Sequence, residues 1–250
     1  MELKEFFKLN PRAALAFSGG TDSAYLLHAA LACGASVKAY YVKSPFQPAF
    51  ELQDAKRLAA QLSAEMEIIE LDVLADERIA ANLPERCYHC KRAIFTAIYE
   101  AAARDGYSVL MDGSNASDDP GDRPGMRALM ELSVYSPLRE AGLTKTDVRR
   151  LSKEAGLFTH DKPAYACLAT RIPTGEEITR EKLAATEEAE SYLASLGFRD
   201  FRVRRFNGAA RLQVTKRDFD RAVELAPQIN RELKKYYTSV LLDMEVRNEQ

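Results

Sequence analysis

The first half of the chain alternates short apolar segments with helix-like segments, and this alternation restricts the folds open to it. Residues 13–17 form an apolar run, and residues 22–33 then carry apolar residues at helical spacing up to Gly34. The same alternation recurs, with predicted strands at 36–42, 67–71 and 108–112 and predicted helices at 49–62 and 91–103. Strands that alternate with helices form right-handed crossovers and a mostly parallel sheet covered on both faces. The sequence therefore predicts a doubly wound α/β fold.

The second half of the chain predicts a smaller α+β domain. Residues 162–175 contain Pro163 and Pro173, which favour an extended loop over a helix or strand. Beyond this loop we predict helices at 180–196 and 217–226 and strands at 201–206, 211–214 and near 239–245. We therefore expect an α/β domain over residues 1–161, a hinge and reactive loop, and a small domain over 176–250.

Composition excludes several classes of protein. With 46% hydrophobic and 29% charged residues, the chain is able to bury a core and is not disordered or fibrous. No apolar run is long enough to span a bilayer, and residues 1–5 are charged and lead almost directly into a strand-like segment. We therefore expect a cytoplasmic protein. Four cysteines are too few for a secreted disulfide scaffold, and for Cys33, on an apolar helix, we expect a plain buried thiol.

A glycine turn follows the first predicted strand. The run S-G-G-T-D-S at residues 18–23 lies where backbone N–H groups and the positive end of the next helix converge, which favours an anion. Gly19 and Gly20 permit a tight turn, and hydroxyl groups for phosphate oxygens come from Ser18, Thr21 and Ser23. Asp22 would bind Mg²⁺ or cap the helix. The Gly-Lys-Ser/Thr ending of a Walker sequence is missing, so γ-phosphoryl transfer is not favoured. A generic turn of small residues is the alternative.

Three further cysteines indicate metal or redox chemistry. Cys87 and Cys90 form a C-x-x-C pair, and Cys167 lies far downstream in the loop. Zinc would need a fourth ligand such as His89 or His160. A thioredoxin-like redox pair is disfavoured, because the βαβ context of such pairs does not surround Cys87 and Cys90. A plain pair of buried thiols is the simplest alternative.

The glycine turn resembles the PP-motif of ATP pyrophosphatases, and other segments resemble the LarE branch of that superfamily. These segments are residues 110–119, 123–125, 136–149, 166–173 and 201–204. The resemblance covers nearly the whole chain. It implies a PP-loop fold that uses ATP and Mg²⁺ and forms AMP and pyrophosphate. LarE proteins adenylate a carboxylate of pyridinium-3,5-biscarboxylic acid mononucleotide and insert sulfur, for the nickel-pincer cofactor of lactate racemase.

The resemblance also assigns roles to the cysteines. In sacrificial LarE members, the cysteine at the position of Cys167 attacks the adenylate, gives up its sulfur and becomes dehydroalanine. Those members lack the pair Cys87 and Cys90, so this chain departs from that pattern. Three thiolates are able to ligate three irons of a [4Fe–4S] cluster and leave the fourth iron open to exogenous sulfide. We expect this cluster route, with sacrifice of Cys167 or a zinc site as alternatives.

Four residues are expected to bind the nucleotide substrate. Arg202 and Arg204 alternate along a predicted strand, so both side chains project from one face and are able to grip a phosphate. Arg171 and Glu190 match LarE positions that line the substrate pocket. From the residues alone, a solvated strand face and a surface ion pair are the simpler interpretations.

Polar residues after the predicted strand at 108–112 are expected to position ATP or Mg²⁺, because α/β ligands bind at the carboxyl edge of a sheet. These residues are Asp112, Ser114, Asn115 and Asp118. Arg123 and Lys145 are candidate partners for phosphate groups.

Two other functions compete with the LarE interpretation. A PP-loop tRNA thiolation enzyme would use the same chemistry, but a formal net charge of −2 does not favour nucleic acid as a partner. A non-catalytic sensor of a nucleotide or metal would keep the turn without turnover. For the LarE function we expect a small nucleotide substrate, sulfide or another sulfur donor, no membrane and a homo-oligomer.

Overall fold

A computed structural model describes residues 1–118 and 124–247. The chain divides into two compact units. The first unit comprises Met1–Ala75 and Glu85–Lys162, and the second comprises Asp76–Pro84 and Pro163–Gln250.

A parallel sheet forms the centre of the first unit. Its strands are β1 (Arg12–Ala16), β2 (Ser36–Lys43), β3 (Glu65–Glu70) and β4 (Leu110–Met111). They lie in the order β3-β2-β1-β4, and each neighbouring pair is parallel. The carboxyl ends of β1 and β4 therefore lie side by side, and the turns that follow them share one edge of the sheet. The predicted α/β fold is confirmed.

Helices cover both faces of this sheet. In chain order they are α1 (Leu3–Leu9), α2 (Thr21–Ala32), α3 (Ala49–Gln61), α5 (Arg86–Arg104), α6 (Pro124–Glu131), α7 (Pro137–Glu140) and α8 (Lys145–Glu154). Helix α4 (Glu77–Ala80) belongs to the second unit. On one face Leu15 of β1 packs with residues of α1, α2, α3 and α8. On the other, Ala14 packs with α5 and α6. Because alternate strand residues point to opposite faces, one short apolar strand contributes to two cores.

Three local features of the first unit differ from the sequence prediction. Helix α1, whose Phe6 and Phe7 are buried, precedes β1 and was not predicted, although the expected strand follows it at Arg12–Ala16. Helix α5 begins at Arg86, five residues before the predicted start, and therefore includes the C-x-x-C pair. Cys33 is exposed at the C-cap of α2, and the expectation of a buried thiol is wrong there because helical spacing ends at that residue.

The second unit contains a three-stranded mixed sheet. Its strands are β5 (Phe201–Phe206), β6 (Ala209–Val214) and β7 (Val240–Leu242), and its longer helices are α9 (Arg180–Ser195), α10 (Lys216–Glu224) and α11 (Ala226–Leu233). Strands β5 and β6 are antiparallel, whereas β6 and β7 are parallel. The β5–β6 hairpin turns at Asn207 and Gly208, both with positive φ, as a two-residue primed turn requires. The predicted smaller α+β element is thus present.

Residues 76–84 join the second unit through hydrogen bonds. The side-chain amide of Asn82 donates to the backbone oxygens of Pro173 at 2.8 Å and Glu176 at 3.1 Å. The amide of Gly175 in turn donates to the Asn82 oxygen at 2.9 Å. Because Asn82 is buried and satisfied, it fixes the end of the proline-containing loop. That loop is not wholly extended, since Leu168–Arg171 forms a 3₁₀ turn.

None of the helices in residues 1–118 and 124–247 combines the length and apolar character needed to cross a membrane.

Candidate functional site

The glycine turn lies between β1 and α2, as the sequence predicts. The hydroxyl groups of Ser18 and Ser23 are 3.0 Å apart and hydrogen-bond each other. The backbone amide of Gly20 donates to the Ser18 hydroxyl at 3.2 Å. The hydroxyl of Thr21 points elsewhere, because it donates to the backbone oxygen of Thr159 at 2.8 Å and is buried. Ser18 and Ser23 are therefore the hydroxyls that this turn presents together, while Thr21 anchors the start of α2.

Gly19 is required by space and by backbone conformation. Its φ is +72°, in the left-handed region that favours glycine, and a Cβ atom there would lie 2.9 Å from the Cβ of Ala55 in α3. Gly20 has an ordinary φ of −80° and serves as the N-cap of α2 without a side-chain cap. The uncapped first turn of α2 leaves backbone N–H groups directed at the space that an anion would fill.

Asp22 in the first turn of α2 is already paired. Its Oδ2 atom lies 2.6 Å from the amine of Lys145, and its Oδ1 atom accepts from the side-chain amide of Asn115 at 3.2 Å. Because Gly20 is the N-cap, the capping role considered for Asp22 is not observed. Asp22 and Lys145 therefore form a partly exposed ion pair beside the turn, and the cation is next to the expected phosphate site.

The segment after β4 packs against the glycine turn. A Cβ atom on Gly113 would lie 2.8 Å from the backbone nitrogen of Ser23, so the two backbones are in close contact. The carboxylate of Asp112 accepts from the hydroxyls of Ser114 at 2.5 Å and Ser136 at 2.7 Å. Asp118 accepts from the backbone amide of Asn115 at 2.9 Å. Asp112 and Ser114 thus lie at the expected edge of the sheet, and their hydrogen bonds shape the loop. Arg123, also expected near phosphate, lies outside the described residues.

The cysteine pair occupies the first turn of α5. Cys87 is exposed and Cys90 is buried, and their i, i+3 spacing puts both on one side of the helix. The amino end of α5 is held by α6, since Arg127 pairs with Glu85 and lies over the ring of Tyr88 at 4.2 Å. Within residues 1–118 and 124–247, no group of three or more His, Cys, Asp or Glu side chains is placed to hold a metal ion.

Cys167 belongs to the second unit and is partly exposed. It is the N-cap of the 3₁₀ turn Leu168–Arg171, and its carbonyl accepts from the amide of Thr170 at 3.0 Å and the hydroxyl of Thr170 at 2.9 Å. Leu168 and Ala169 are fully buried directly after it. The backbone around Cys167 is therefore fixed, while its thiol keeps access to solvent.

Arg171 and Glu190 form a buried ion pair beneath this loop. The Nε and Nη2 atoms of Arg171 donate to the Glu190 carboxylate at 2.7 and 3.1 Å. Its Nη1 atom donates to the carbonyl of Ala166 at 3.0 Å. Burial is the largest single effect and would lower the pKa of Arg171, but the hydrogen bond to Glu190 and the negative charge of Glu190 act together against it, and the pKa is raised. The simpler interpretation of a surface pair does not hold, because Arg171 is 1% exposed and Glu190 is 5% exposed.

Arg202 and Arg204 extend from β5 toward the same loop. Arg202 is buried and donates to the carbonyl of Ala164, and Arg204 donates to the carbonyl of Thr170 at 2.5 Å. The solvated face considered for this pair is therefore not observed. Burial, together with repulsion from Arg171 and Arg247, lowers the pKa of Arg202 to about 10. Such crowding of cations in a buried place favours binding of an anion.

Tyr165 was missed by sequence reasoning. Its hydroxyl donates to the Glu190 carboxylate at 2.6 Å, and its ring lies 4.6 Å from the Arg171 guanidinium and 5.3 Å from that of Arg202. Its position two residues before Cys167 was the signal that could have marked it as a site residue. Its hydrogen-bond partner, Glu190, is distant in sequence and could not be inferred from that position. Arg86, which precedes the cysteine pair, was also missed.

Comparisons with known proteins show the family to which this chain belongs. No protein-family profile matches the chain. An uncharacterized protein of Synechocystis sp. is 36% identical over 223 residues, which cover 89% of this chain and 83% of that protein. The pyridinium-3,5-bisthiocarboxylic acid mononucleotide synthase of Lactiplantibacillus plantarum is 34% identical over 236 residues, covering 93% of this chain and 86% of the synthase. A tRNA-specific 2-thiouridylase of Thermotoga petrophila is 23% identical over 60% of this chain and 54% of its own length. The resemblance predicted from the motifs is confirmed, and the chain belongs to the LarE family of the PP-loop superfamily.

Proposed function

We propose that this chain is an ATP-dependent sulfurtransferase that acts on pyridinium-3,5-biscarboxylic acid mononucleotide. The observation that carries the proposal is the match to a pyridinium-3,5-bisthiocarboxylic acid mononucleotide synthase over 93% of the chain. The name of that relative describes a mononucleotide in which both carboxylates have exchanged oxygen for sulfur. The glycine turn between β1 and α2 supports the use of ATP for this exchange.

The first step activates a carboxylate. A carboxylate oxygen of the substrate attacks the α-phosphorus of ATP, the bond to the bridging oxygen breaks, and pyrophosphate leaves. The N–H groups at the start of α2, with the hydroxyls of Ser18 and Ser23, would stabilise the charge that develops on pyrophosphate. When Asp22 binds Mg²⁺ in place of Lys145, the amine of Lys145 would be free to add positive charge beside the phosphates.

The second unit supplies groups for the substrate phosphate. Arg171, Arg202 and Arg204 bring three guanidinium groups to the buried carboxylate of Glu190. This excess of positive charge would be compensated by the phosphate of the mononucleotide. The same side chains donate to loop carbonyls around Cys167, so substrate binding and loop position would be coupled.

The second step delivers sulfur. A sulfur nucleophile attacks the acyl carbon, AMP leaves with the former carboxylate oxygen, and a thiocarboxylate remains after transfer. If Cys167 is the nucleophile, loss of its Cα proton and cleavage of its Cβ–S bond leave dehydroalanine. If sulfide is the donor, the chain stays intact through repeated turnovers.

We favour the sulfide route, because Cys87 and Cys90 offer a thiol pair on one side of α5 in addition to Cys167. Thiolates are the ligands that iron–sulfur clusters take, so this donor set fits a [4Fe–4S] cluster in kind. Cys87, Cys90 and Cys167 would hold the cluster, which would supply sulfide for the transfer. Iron and acid-labile sulfide measured after anaerobic purification test this assignment, and a colourless protein that contains zinc would contradict it.

The proposed reaction is tested by its products. ATP, Mg²⁺, sulfide and the mononucleotide should yield AMP and pyrophosphate in equal amounts, and omission of the mononucleotide should abolish their release. No AMP in the complete mixture would leave a nucleotide-binding sensor as the better interpretation. AMP formation that requires tRNA in place of the mononucleotide would favour a tRNA thiolation enzyme.

A further inference from the structure

Arg86, the first residue of α5, is a buried cation without an acceptor. It is 8% exposed, and its Nε atom has no hydrogen-bond partner. No side-chain hydrogen bond or ion pair of its guanidinium with residues 1–118 or 124–247 is observed, and its Nη atoms are not among the buried atoms without a partner. Its one contact with a charged or aromatic group in these ranges is with the ring of Phe46, whose centroid lies 5.8 Å from the guanidinium carbon.

The other buried arginines show what such a group normally requires. Among the described residues, Arg171 and Arg202 are the remaining arginines that are more than nine-tenths buried. Arg171 has the Glu190 carboxylate at 2.7 Å, and Arg202 has Asp200 at 3.5 Å together with backbone carbonyls. A guanidinium is charged at neutral pH and carries five N–H donors, so burial without acceptors is strongly unfavourable. Arg86 therefore lacks a partner that the other two have within the protein.

The surroundings of Arg86 favour an anion as this partner. Helix α5 runs over 19 residues, and its N-cap, Glu85, provides no side-chain hydrogen bond to the first turn. The free N–H groups and the positive end of the helix dipole lie at the residue that carries the unpaired guanidinium. Two independent features, the uncapped N–H groups and the buried guanidinium without a partner, thus both belong to the start of α5 and both favour an anion.

The position of this point in the sheet indicates which anion binds. Phe46 is fully buried in the loop that follows β2, so the guanidinium lies at the carboxyl edge of the parallel sheet. The glycine turn follows β1, which pairs in parallel with β2 up to Ala16 and Tyr40. Both features are therefore at the edge where α/β folds bind their ligands.

We propose that Arg86 and the first turn of α5 form an oxyanion site that is separate from the glycine turn. An anionic oxygen of one of the reactants would bind there and supply the acceptor that Arg86 lacks. This inference rests on the proposed function and extends it. The oxyanion is either a phosphate of ATP or the carboxylate that becomes adenylated. Phosphate and carboxylate groups both present paired oxygen atoms to the planar N–H donors of arginine.

The test compares Arg86→Met with Arg92→Met, which removes an exposed arginine from the same helix. Titration calorimetry measures binding of the Mg²⁺ complex of an α,β-methylene ATP analogue and, separately, of the biscarboxylate mononucleotide. Arg86→Met should weaken one of the two by about 10- to 100-fold, the loss expected for a charged hydrogen-bond donor. The ligand that is weakened identifies the source of the oxyanion. Unchanged affinity for both ligands would overturn the inference.

Unfolding without ligand separates this role from a structural one. Because no side-chain partner of Arg86 is observed among residues 1–118 and 124–247, Arg86→Met should unfold at the same temperature as wild type or higher, whereas Arg171→Met should unfold at a lower temperature. An equal loss in both variants would assign Arg86 a structural role and contradict the site. If wild type binds neither ligand, the proposed function fails. Inorganic pyrophosphate and pyridine-3,5-dicarboxylate then probe the site directly, and at least one of them should raise the unfolding temperature of wild type by more than that of Arg86→Met, which keeps the glycine turn. Equal stabilisation of the two proteins by each probe would overturn the site as well.

Discussion

At the scale of single residues, the site depends on buried charges that are satisfied by specific partners. Glu190 accepts from Arg171, from the Tyr165 hydroxyl and from the backbone amide of Val203 at 2.9 Å. One carboxylate thus connects helix α9, strand β5 and the loop that carries Cys167. The loop position follows from this connection and not from the intrinsic preferences of its prolines and small residues.

Replacing Glu190 should expose this dependence. Glu190→Gln leaves the guanidinium of Arg171 buried without a counter-charge, so we expect the free energy of unfolding to fall by about 3–5 kcal/mol. Chemical denaturation measures it. Glu188→Gln, at an exposed position of the same helix, is the control and should change stability by less than about 0.5 kcal/mol. A similar loss of stability in both variants would contradict the role of Glu190 in holding the loop that carries Cys167.

Tyr165→Phe tests whether the loop position that Glu190 fixes affects the rate of AMP formation. Only the hydrogen bond to Glu190 is removed, so we expect a loss of stability of about 1 kcal/mol. If Tyr165 is a positioning residue, kcat for AMP formation should fall several-fold while KM for ATP stays constant. A rise in KM for ATP with unchanged kcat would refute this role.

Asp22→Asn tests the proposed magnesium ligand. The ion pair with Lys145 would be lost, and we expect the Mg²⁺ affinity of the ATP-bound protein to fall about 10- to 100-fold. The Mg²⁺ dependence of AMP formation measures this change. Lys145→Met is the complementary variant, since it removes the competing cation and should not weaken Mg²⁺ binding. Equal Mg²⁺ dependence in Asp22→Asn and wild type would exclude Asp22 as a ligand.

At the scale of elements, the glycine turn is defined by its fit against α3. Gly19→Ala would place a methyl group 2.9 Å from the Ala55 Cβ atom, in a backbone conformation that disfavours alanine. We expect a stability loss of about 1–3 kcal/mol and loss of ATP binding. Gly34→Ala is the matched control, because Gly34 also has a positive φ but has nothing within 4 Å of the added methyl group. It should lose similar conformational energy and keep ATP affinity, and a parallel loss of affinity in both would contradict the account.

Helix boundaries show where sequence patterns suffice. Helix α9 spans Arg180–Ser195 against a prediction of 180–196, because its cap and apolar spacing are both local signals. Helix α5 starts five residues earlier than predicted, since the segment R-C-Y-H-C carries no apolar periodicity and is fixed by packing of α6. Helix α10 spans Lys216–Glu224 against a prediction of 217–226, whereas α11, with Pro227 near its start, was not predicted. Local patterns thus give the existence of elements more reliably than their ends.

At the scale of the whole molecule, the candidate functional residues are divided between the two units. The glycine turn and the cysteine pair belong to the first unit, and Cys167 with the arginine cluster belongs to the second. The fold class and the residue types of the site were predictable from motifs. The hydrogen-bond partners of Glu190 and Asp22 were not, and neither was the burial of Arg86, because each depends on residues brought together by tertiary structure from distant parts of the chain.

The most direct test is a mass measurement on the mononucleotide and the protein after turnover with ATP, Mg²⁺ and sulfide under anaerobic conditions. The account predicts a mononucleotide heavier by about 16 Da for each oxygen exchanged for sulfur, one AMP per exchange, several exchanges per chain and an intact Cys167. A protein lighter by about 34 Da with at most one exchange per chain would replace the sulfide route by sacrifice of Cys167. An unchanged mononucleotide would contradict the central claim that this chain transfers sulfur to an ATP-activated carboxylate.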